Sequence, residues 1–193
     1  MKGIGKLIIA MILAIAISMG AFPTNSAEAK VGGSVSVDVN TTIDQVLDLL
    51  GFGDAEGHYV VVVNKTGGTL ERVGAYNDSS NWPADDVKAR TAKATKIIGQ
   101  GSYGSHSFAA NYEVTETRKD FFQLGSSWPL WGERKINMCE SGRSGNKPAE
   151  HCWDDMWYSN DVTVGRNGYK GRAFLKTLDT DHGEAIAWLY EIK

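Results

Sequence analysis

The stretch Tyr59-Val60-Val61-Val62-Val63-Asn64 contains four consecutive valines and decides the fold class. Successive side chains of a strand point to opposite faces, so this run predicts a strand that is buried on both faces. The turn Lys65-Thr66-Gly67-Gly68 follows, and Leu70–Tyr76 returns as a second strand. Near the C-terminus, Glu184–Ile192 carries Ile, Trp, Tyr and Ile at every second position, which also predicts a strand.

Short apolar runs separated by glycine-rich breaks predict further strands at Ser107–Thr117, Asp120–Leu124, Glu133–Met138, Asp161–Val164 and Arg172–Thr177. Gly125–Gly132 is predicted to be a loop, and Val87–Ile98 is compatible with either a helix or a strand. Short helices are predicted at Thr42–Leu50 and Ala149–Tyr158. Many short strands with few helices indicate a mainly β fold, a β-sandwich flanked by two short α-helices.

The beginning of the chain has the pattern of a secretory signal peptide. Lys2 and Lys6 precede the apolar run Leu7–Phe22, and Ala27-Glu28-Ala29 has the form of a signal-peptidase site. The apolar run is shorter than the ~20 residues of a spanning helix, which argues against a membrane anchor. We therefore predict a signal peptide at 1–29, an N-terminal segment with a hinge at 30–57 and a β-sandwich domain at 58–193.

The charge of the exported chain limits its partners. Removal of residues 1–29 leaves 18 of 20 basic and 22 of 23 acidic residues, so the net charge changes from −3 to −4. A negative chain is poorly matched to the phosphate backbone, and we predict no nucleic-acid partner. The same charge argues against binding driven only by anionic lipids.

Residues 31–50 carry two overlapping patterns. Val35, Val37 and Val39 alternate with polar residues, as they would in a strand. The same segment also forms one apolar helical stripe, which consists of Val35, Val39, Ile43, Val46, Leu47 and Leu50. The opposite face of that helix is acidic and carries Asp38, Asp44 and Asp48.

Local signals define where the helix of this segment begins and ends. Thr42 with Gln45 has the form of a capping box, and Gly51 is a natural helix end. Gly53 and Gly57 follow within a few residues, so we predict a hinge between the segment and the sandwich.

Aromatic residues are concentrated outside the predicted strands, at Trp82, Trp128, Trp131, Trp153, Trp157 and Tyr158. Trp188 alone lies in a predicted core strand, whereas Trp153 and Trp157 would share one face of a helix. Such aromatic clusters suit a core, a bilayer interface or a quaternary-ammonium cage, and their position in loops favours the last two.

Two cysteines, Cys139 and Cys152, remain in the exported chain. They are either bridged or two free thiols, and export from the cytoplasm favours a disulfide between them.

The sequence contains no recognisable catalytic or metal-binding motif. Its four histidines have no metal-type spacing with another ligand, and no G-x-S-x-G elbow is present. Asp154 and Asp155 are neighbours, so on a helix they would point apart and could not act together as an acid–base pair. We therefore expect a protein that is not an enzyme and that needs no cofactor.

Four blocks of the sequence together resemble the actinoporins, the pore-forming cytolysins of sea-anemone type. The blocks are Gly33–Gly51, Val60–Thr69 with Ala75-Tyr76, Cys152–Tyr158, and Gly168–Phe174 with His182–Ile186. The resemblance implies an actinoporin-like β-sandwich and a secreted protein that docks on phosphocholine lipids, often sphingomyelin. It also implies that the N-terminal segment then enters the target-cell membrane and lines an oligomeric pore.

The resemblance implies roles for individual residues as well. The lipid headgroup would be bound by Ser79, Ser80, Trp128, Trp153, Trp157 and Tyr158. Trp131 and Trp82 would contact the membrane. The pore-lining helix would contain Val35, Asp38, Val39, Ile43, Asp44, Val46, Leu47, Asp48 and Leu50.

Helix geometry is compatible with that role. A helix over Ser34–Leu50 would be about 25 Å long, close to the ~30 Å hydrocarbon core of a bilayer. Because its polar face is acidic, we predict a cation-conducting pore. The alternatives are a secreted lectin or lipid-binding module on the same sandwich that never perforates a membrane, and a secreted hydrolase.

Overall fold

The computed structural model describes residues 31, 33–77, 85–97, 105–129, 131–157 and 161–193. In this part of the chain the strands are β1 Gly33–Ser36, β2 Gly57–Asn64, β3 Leu70–Asn77, β4 Thr91–Lys96, β5 His106–Val114, β6 Phe121–Trp128, β7 Lys135–Ser141, β8 Asp161–Arg166, β9 Tyr169–Thr180 and β10 Gly183–Ile192. The helices are α1 Ile43–Leu49 and α2 Asn146–Asp154, and Phe52–Asp54 forms one turn of 3-10 helix. The predicted signal peptide and its cleavage site lie outside the described residues.

The strands form two sheets that pack face to face. The larger sheet has the order β1-β4-β2-β10-β9-β8, and the smaller has the order β3-β5-β6-β7. The predicted mainly β sandwich with two short helices is therefore confirmed.

Strands β2 and β10 lie at the centre of the six-stranded sheet and run parallel, with Gly57 opposite Ala185 and Asn64 opposite Ile192. On the inner side, Val60 and Val62 join a core that also contains Phe108, Tyr112, Phe122, Leu124, Trp188 and Tyr190. On the outer side, Val61 and Val63 belong to a second apolar cluster. The central strand is thus buried on both faces, as the four valines predicted.

Helix α1 covers the outer face of the six-stranded sheet. Val46, Leu47 and Leu50 point from the helix into the outer apolar cluster and are sealed from solvent. Thr42 is the N-cap and forms the predicted capping box with Gln45. Gly51 follows in the left-handed conformation (φ 80°), which glycine adopts without steric cost.

Helix α2 covers the outer face of the four-stranded sheet, which carries small and polar side chains. The amide of Gln123 donates to the side-chain oxygen of Asn111 at 2.6 Å and to the hydroxyl of Ser141 at 2.9 Å. The predicted disulfide is present and joins Cys139 on β7 to Cys152 on α2, with the Cα atoms 5.7 Å apart.

Two predicted element boundaries are wrong. Gly125–Trp128 continue strand β6 instead of forming a loop, because β5 and β7 pair with them on both sides. The second helix ends at Asp154, not at Tyr158. For Val87–Ile98, where a helix and a strand were both left open, residues 91–96 form strand β4, because β4 fills the place between β1 and β2.

Candidate functional site

Two tryptophan side chains project into solvent at the same end of the sandwich. Trp131, in the connection between β6 and β7, is 92% exposed, and Trp157, just after α2, is 76% exposed. Asn137 on β7 contacts the backbone oxygen of Asp155, which brings the residues after α2 to the end where β6 joins β7. We call this end, with Tyr76, Trp128, Trp131, Trp153 and Trp157, the aromatic end.

Trp153 is half-buried on the outer face of the four-stranded sheet. Its indole N–H donates to the hydroxyl of Ser107 at 2.9 Å, and its ring meets Tyr76 edge to face with centroids 5.5 Å apart. The hydrogen bond fixes the orientation of the ring and satisfies its polar atom. Among the described residues, Trp153 thus has a hydroxyl partner and an aromatic neighbour that fix it in the surface.

Trp128 lies on the other face of the same sheet. It pairs with His106 in the ladder and packs against the inner core, whereas the neighbouring residue, Ser107, points outward to Trp153. Successive residues of a strand face opposite sides, so Trp128 and Trp153 do not line one common cage. The sequence-based view that Trp188 alone sits in a core strand is corrected, because Trp128 also does.

The indole of Trp128 already has a cation beside it. The guanidinium of Arg134 lies 5.0 Å from the ring centroid, and His58 meets the same indole edge to face at 4.3 Å. Arg134 also pairs with Glu184 at 3.5 Å. Burial, with a further contribution from Arg134, lowers the pKa of His58, so this imidazole stays neutral at physiological pH.

Four of the predicted contact residues lie outside the described residues: Ser79, Ser80, Trp82 and Tyr158. The described members are split between an exposed pair, a half-buried outer indole and an inner indole. The headgroup-binding and membrane-contacting roles of all these residues stay predictions.

Sequence reasoning missed three neighbours of the predicted site: Tyr76, Ser107 and Arg134. Tyr76 and Ser107 could have been found from the alternation of side chains along β3 and β5, since residues that point outward from these strands meet α2. No local pattern marked Arg134, because its ion-pair partner Glu184 comes from a distant part of the chain and the nearby Trp128 was predicted to lie in a loop.

The predicted pore-lining residues all lie in the described N-terminal segment, in a strand, a turn and a short helix. Gly33–Ser36 pair with β4, so Val35 lies opposite Ala92. Ile43 and Val35 pack at the margin of the outer cluster, whereas Val39 is exposed. All members of the apolar stripe except Val39 therefore belong to the outer cluster or pack at its margin in this conformation.

The acidic residues of the segment make different contacts. Two backbone N–H groups, those of Asn40 and Thr41, donate to the Asp38 carboxylate and lower its pKa. Asp44 pairs with Lys176 on β9, and Asp48 is exposed. Asp44 and Asp48, the two acidic residues on α1, lie away from its sealed side, whereas Asp38 lies before the helix begins.

One buried lysine joins the segment to the sandwich. The ammonium of Lys65 donates to the backbone oxygen of Thr41 at 2.6 Å and pairs with Glu191 at 2.6 Å. Both side chains are largely buried, so the contact with Thr41 is a charge-assisted hydrogen bond shielded from water. Further along, Thr180 donates to the backbone oxygen of Ala55 at 2.6 Å, so the predicted hinge region is also tied to the body.

The described residues contain no group of three or more His, Cys, Asp or Glu side chains placed to hold a metal ion. None of the helices in that part of the chain has both the length and the hydropathy needed to cross a bilayer.

No family model and no curated protein sequence matches the chain. Among solved structures, the lipid-binding protein Nakanori is similar, with 15% sequence identity and a TM-score of 0.41. The alignment covers 70% of this chain and 72% of that chain.

Proposed function

We propose that this protein is secreted, binds phosphocholine-headgroup lipids through its aromatic end, and inserts its N-terminal segment to form an oligomeric cation-conducting pore. The observation that carries the proposal is the pair of exposed indoles, Trp131 and Trp157, at one end of a rigid sandwich. Exposed large apolar side chains that occur together are typical of interaction surfaces, and indoles prefer the headgroup region of bilayers.

The disposition of charge supports a zwitterionic rather than an anionic surface. Glu133 and Arg134 follow Trp131, and Asp154 and Asp155 precede Trp157, so both signs of charge flank the exposed indoles. A choline headgroup offers a cation for an aromatic face and a phosphate for a hydroxyl or guanidinium. A purely anionic surface would be repelled by the aspartates beside Trp157.

Insertion of the N-terminal segment requires α1 to leave the sheet. Val46, Leu47 and Leu50 are each buried, and their burial contributes about 1.5–3 kcal/mol per side chain, or about 5–9 kcal/mol together. The hydrocarbon core of a bilayer offers the same side chains an equivalent apolar environment. The helix therefore loses little of its own burial on transfer, and the cost falls on the sheet face that it uncovers and on the contacts with Lys65 and Lys176 that it breaks.

That uncovered face is apolar, since Val61, Val63, Ala92, Ala94 and Leu189 all belong to the outer cluster. Lipid or a second copy of the chain must cover it once the segment has left. The segment would then pass from strand and short helix to one longer helix, with Asp44 and Asp48 on its water-filled side. This acidic lining gives cation selectivity, and an anion-selective current in planar bilayers would contradict it.

The direct test uses protein that begins at Lys30 and phosphatidylcholine vesicles with and without sphingomyelin. We expect the protein to co-sediment with these vesicles and to release an encapsulated dye. Protein that neither binds nor permeabilises any of them would refute the proposal.

A secreted lectin or lipid-binding module that never perforates is the second candidate. It is favoured by the docked state of α1, with its sealed apolar side and the buried contact between Lys65 and Thr41. Such a module would bind its ligand without any movement of the segment. Dye release that depends on freedom of the segment separates the two functions.

A further inference from the structure

Two asparagines on the outer face of the four-stranded sheet hold the two ends of α2. On β5, the side-chain amide of Asn111 donates to the backbone oxygens of Arg143 at 3.0 Å and Gly145 at 3.1 Å, just before the helix. On β7, the amide of Asn137 donates to the backbone oxygens of Cys152 at 3.0 Å and Asp155 at 3.2 Å. The chain thus contains a matched pair of contacts, one at each end of the same helix.

The contact at the end of α2 serves carbonyl groups that the helix cannot pair itself. The last carbonyl groups of a helix have no N–H partner within the helix, and a side chain from another element can supply one. The orientation of the Asn137 amide is fixed from the other side, because its oxygen accepts the backbone N–H of Met138 at 3.0 Å. Its N–H groups are therefore directed at Cys152 and Asp155.

The residue after Asp155 has a second fixed contact with the sheet. Met156 is buried, and a side-chain carbon placed on Gly125 of β6 would come within 2.9 Å of its terminal methyl group. Glycine at this position thus leaves room for Met156 against the strand. Asn137 and Gly125 together fix the path of residues 155 and 156.

We propose that Asn137 is a positioning residue for Trp157. The regular part of α2 ends at Asp154, and the N–H groups of Asp155 and Met156 still donate to the backbone oxygens of His151 and Trp153 at 3.0 and 3.1 Å. Against the sheet, the chain beyond the helix is held by the contact of Asn137 with Asp155 and by the position of Met156 on Gly125. This inference rests on the proposed function, since it assigns to Asn137 a part in presenting Trp157 to phosphocholine lipids.

The test compares Asn137→Ala with Asn111→Ala, because each variant removes a two-carbonyl contact from one end of α2. The mature protein is labelled with fluorotryptophan, and the signal of Trp157 is assigned with Trp157→Phe. We expect Asn137→Ala to shift the Trp157 fluorine signal without lipid and to weaken binding to phosphatidylcholine–sphingomyelin vesicles about tenfold. Asn111→Ala is expected to leave both unchanged, although it should lose more stability in thermal unfolding, because it also takes the Asn111 acceptor from the buried amide of Gln123.

A second variant protects the test against misfolding of the first. Gly125→Ala displaces Met156 by a different route and is expected to shift the same fluorine signal. An unmoved Trp157 signal in both variants would overturn the assignment, as would equal weakening of vesicle binding by Asn111→Ala and Asn137→Ala. If the unsubstituted protein binds no vesicle, the proposed function fails, and the lipid-free fluorine signal still decides whether Asn137 positions Trp157.

Discussion

Replacement of Trp157 by alanine is expected to weaken lipid binding strongly while leaving the fold intact. A tryptophan side chain offers about 150–250 Å² of surface, and 76% of Trp157 is exposed, so roughly 110–190 Å² is free to meet lipid. At about 25 cal/mol per Å², complete transfer of this surface would contribute roughly 3–5 kcal/mol. If half of this surface enters the bilayer, its loss in Trp157→Ala costs about 2 kcal/mol, which corresponds to a roughly 30-fold larger dissociation constant.

The measurement is vesicle co-sedimentation over a range of lipid concentrations. Trp131→Ala, which removes a side chain that is 92% exposed, should give a loss of the same size. Thermal unfolding without lipid serves as the control, because removal of an exposed side chain is expected to change stability by less than about 0.5 kcal/mol. The reasoning is refuted if both variants bind vesicles as tightly as the unsubstituted protein.

Three further outcomes are expected for stability. Leu47→Ala should destabilise the docked α1 by about 2–5 kcal/mol, because the Leu47 side chain is only 2% exposed. Leu49→Ala should cost less than about 0.5 kcal/mol, because Leu49 is 58% exposed. Equal protection of the α1 amides from hydrogen exchange in the two variants would contradict this. Reduction of the Cys139–Cys152 bridge, which spans 13 residues, should lower the unfolding free energy by about 3 kcal/mol, and an unchanged denaturation midpoint would disprove that estimate. Burial lowers the pKa of His58 in the folded protein, so the unfolded chain takes up the proton first as the pH falls, and the free energy of unfolding should decline below about pH 6.5. His58→Gln should flatten this part of the dependence of stability on pH. An unaltered slope would contradict the assignment.

The sandwich could be predicted because its central strands carry their own periodic signals. The four valines of β2 and the alternation in β10 specify burial directly, whatever the neighbouring strands are. The capping box at Thr42 was equally local, because both of its partners lie within three residues. The extent of β6 could not be predicted in this way, since Gly125, Ser126 and Ser127 favour turns and only pairing with β5 and β7 makes them a strand.

The arrangement of the aromatic residues depends on contacts that no local pattern records. The spacing of Trp153 and Trp157 predicted a shared helix face, but α2 ends between them, where Asn137 reaches its carbonyl groups from a different strand. Trp128 was assigned to a loop, and the strand that contains it turns the indole toward the core. Composition indicated an aromatic surface, whereas the exposure of each indole followed from tertiary packing.

The most direct test of the central claim is a cross-link that keeps the N-terminal segment on the sheet. Val35 and Ala92 lie opposite each other in the β1–β4 ladder, so Val35→Cys combined with Ala92→Cys can form a disulfide between them. Dye release from phosphatidylcholine–sphingomyelin vesicles is then measured with the oxidised and the reduced variant, and the unsubstituted protein with reductant controls for the opening of Cys139–Cys152. The account predicts that the oxidised variant binds vesicles but releases no dye until it is reduced, whereas equal release from the oxidised and reduced variants would contradict it.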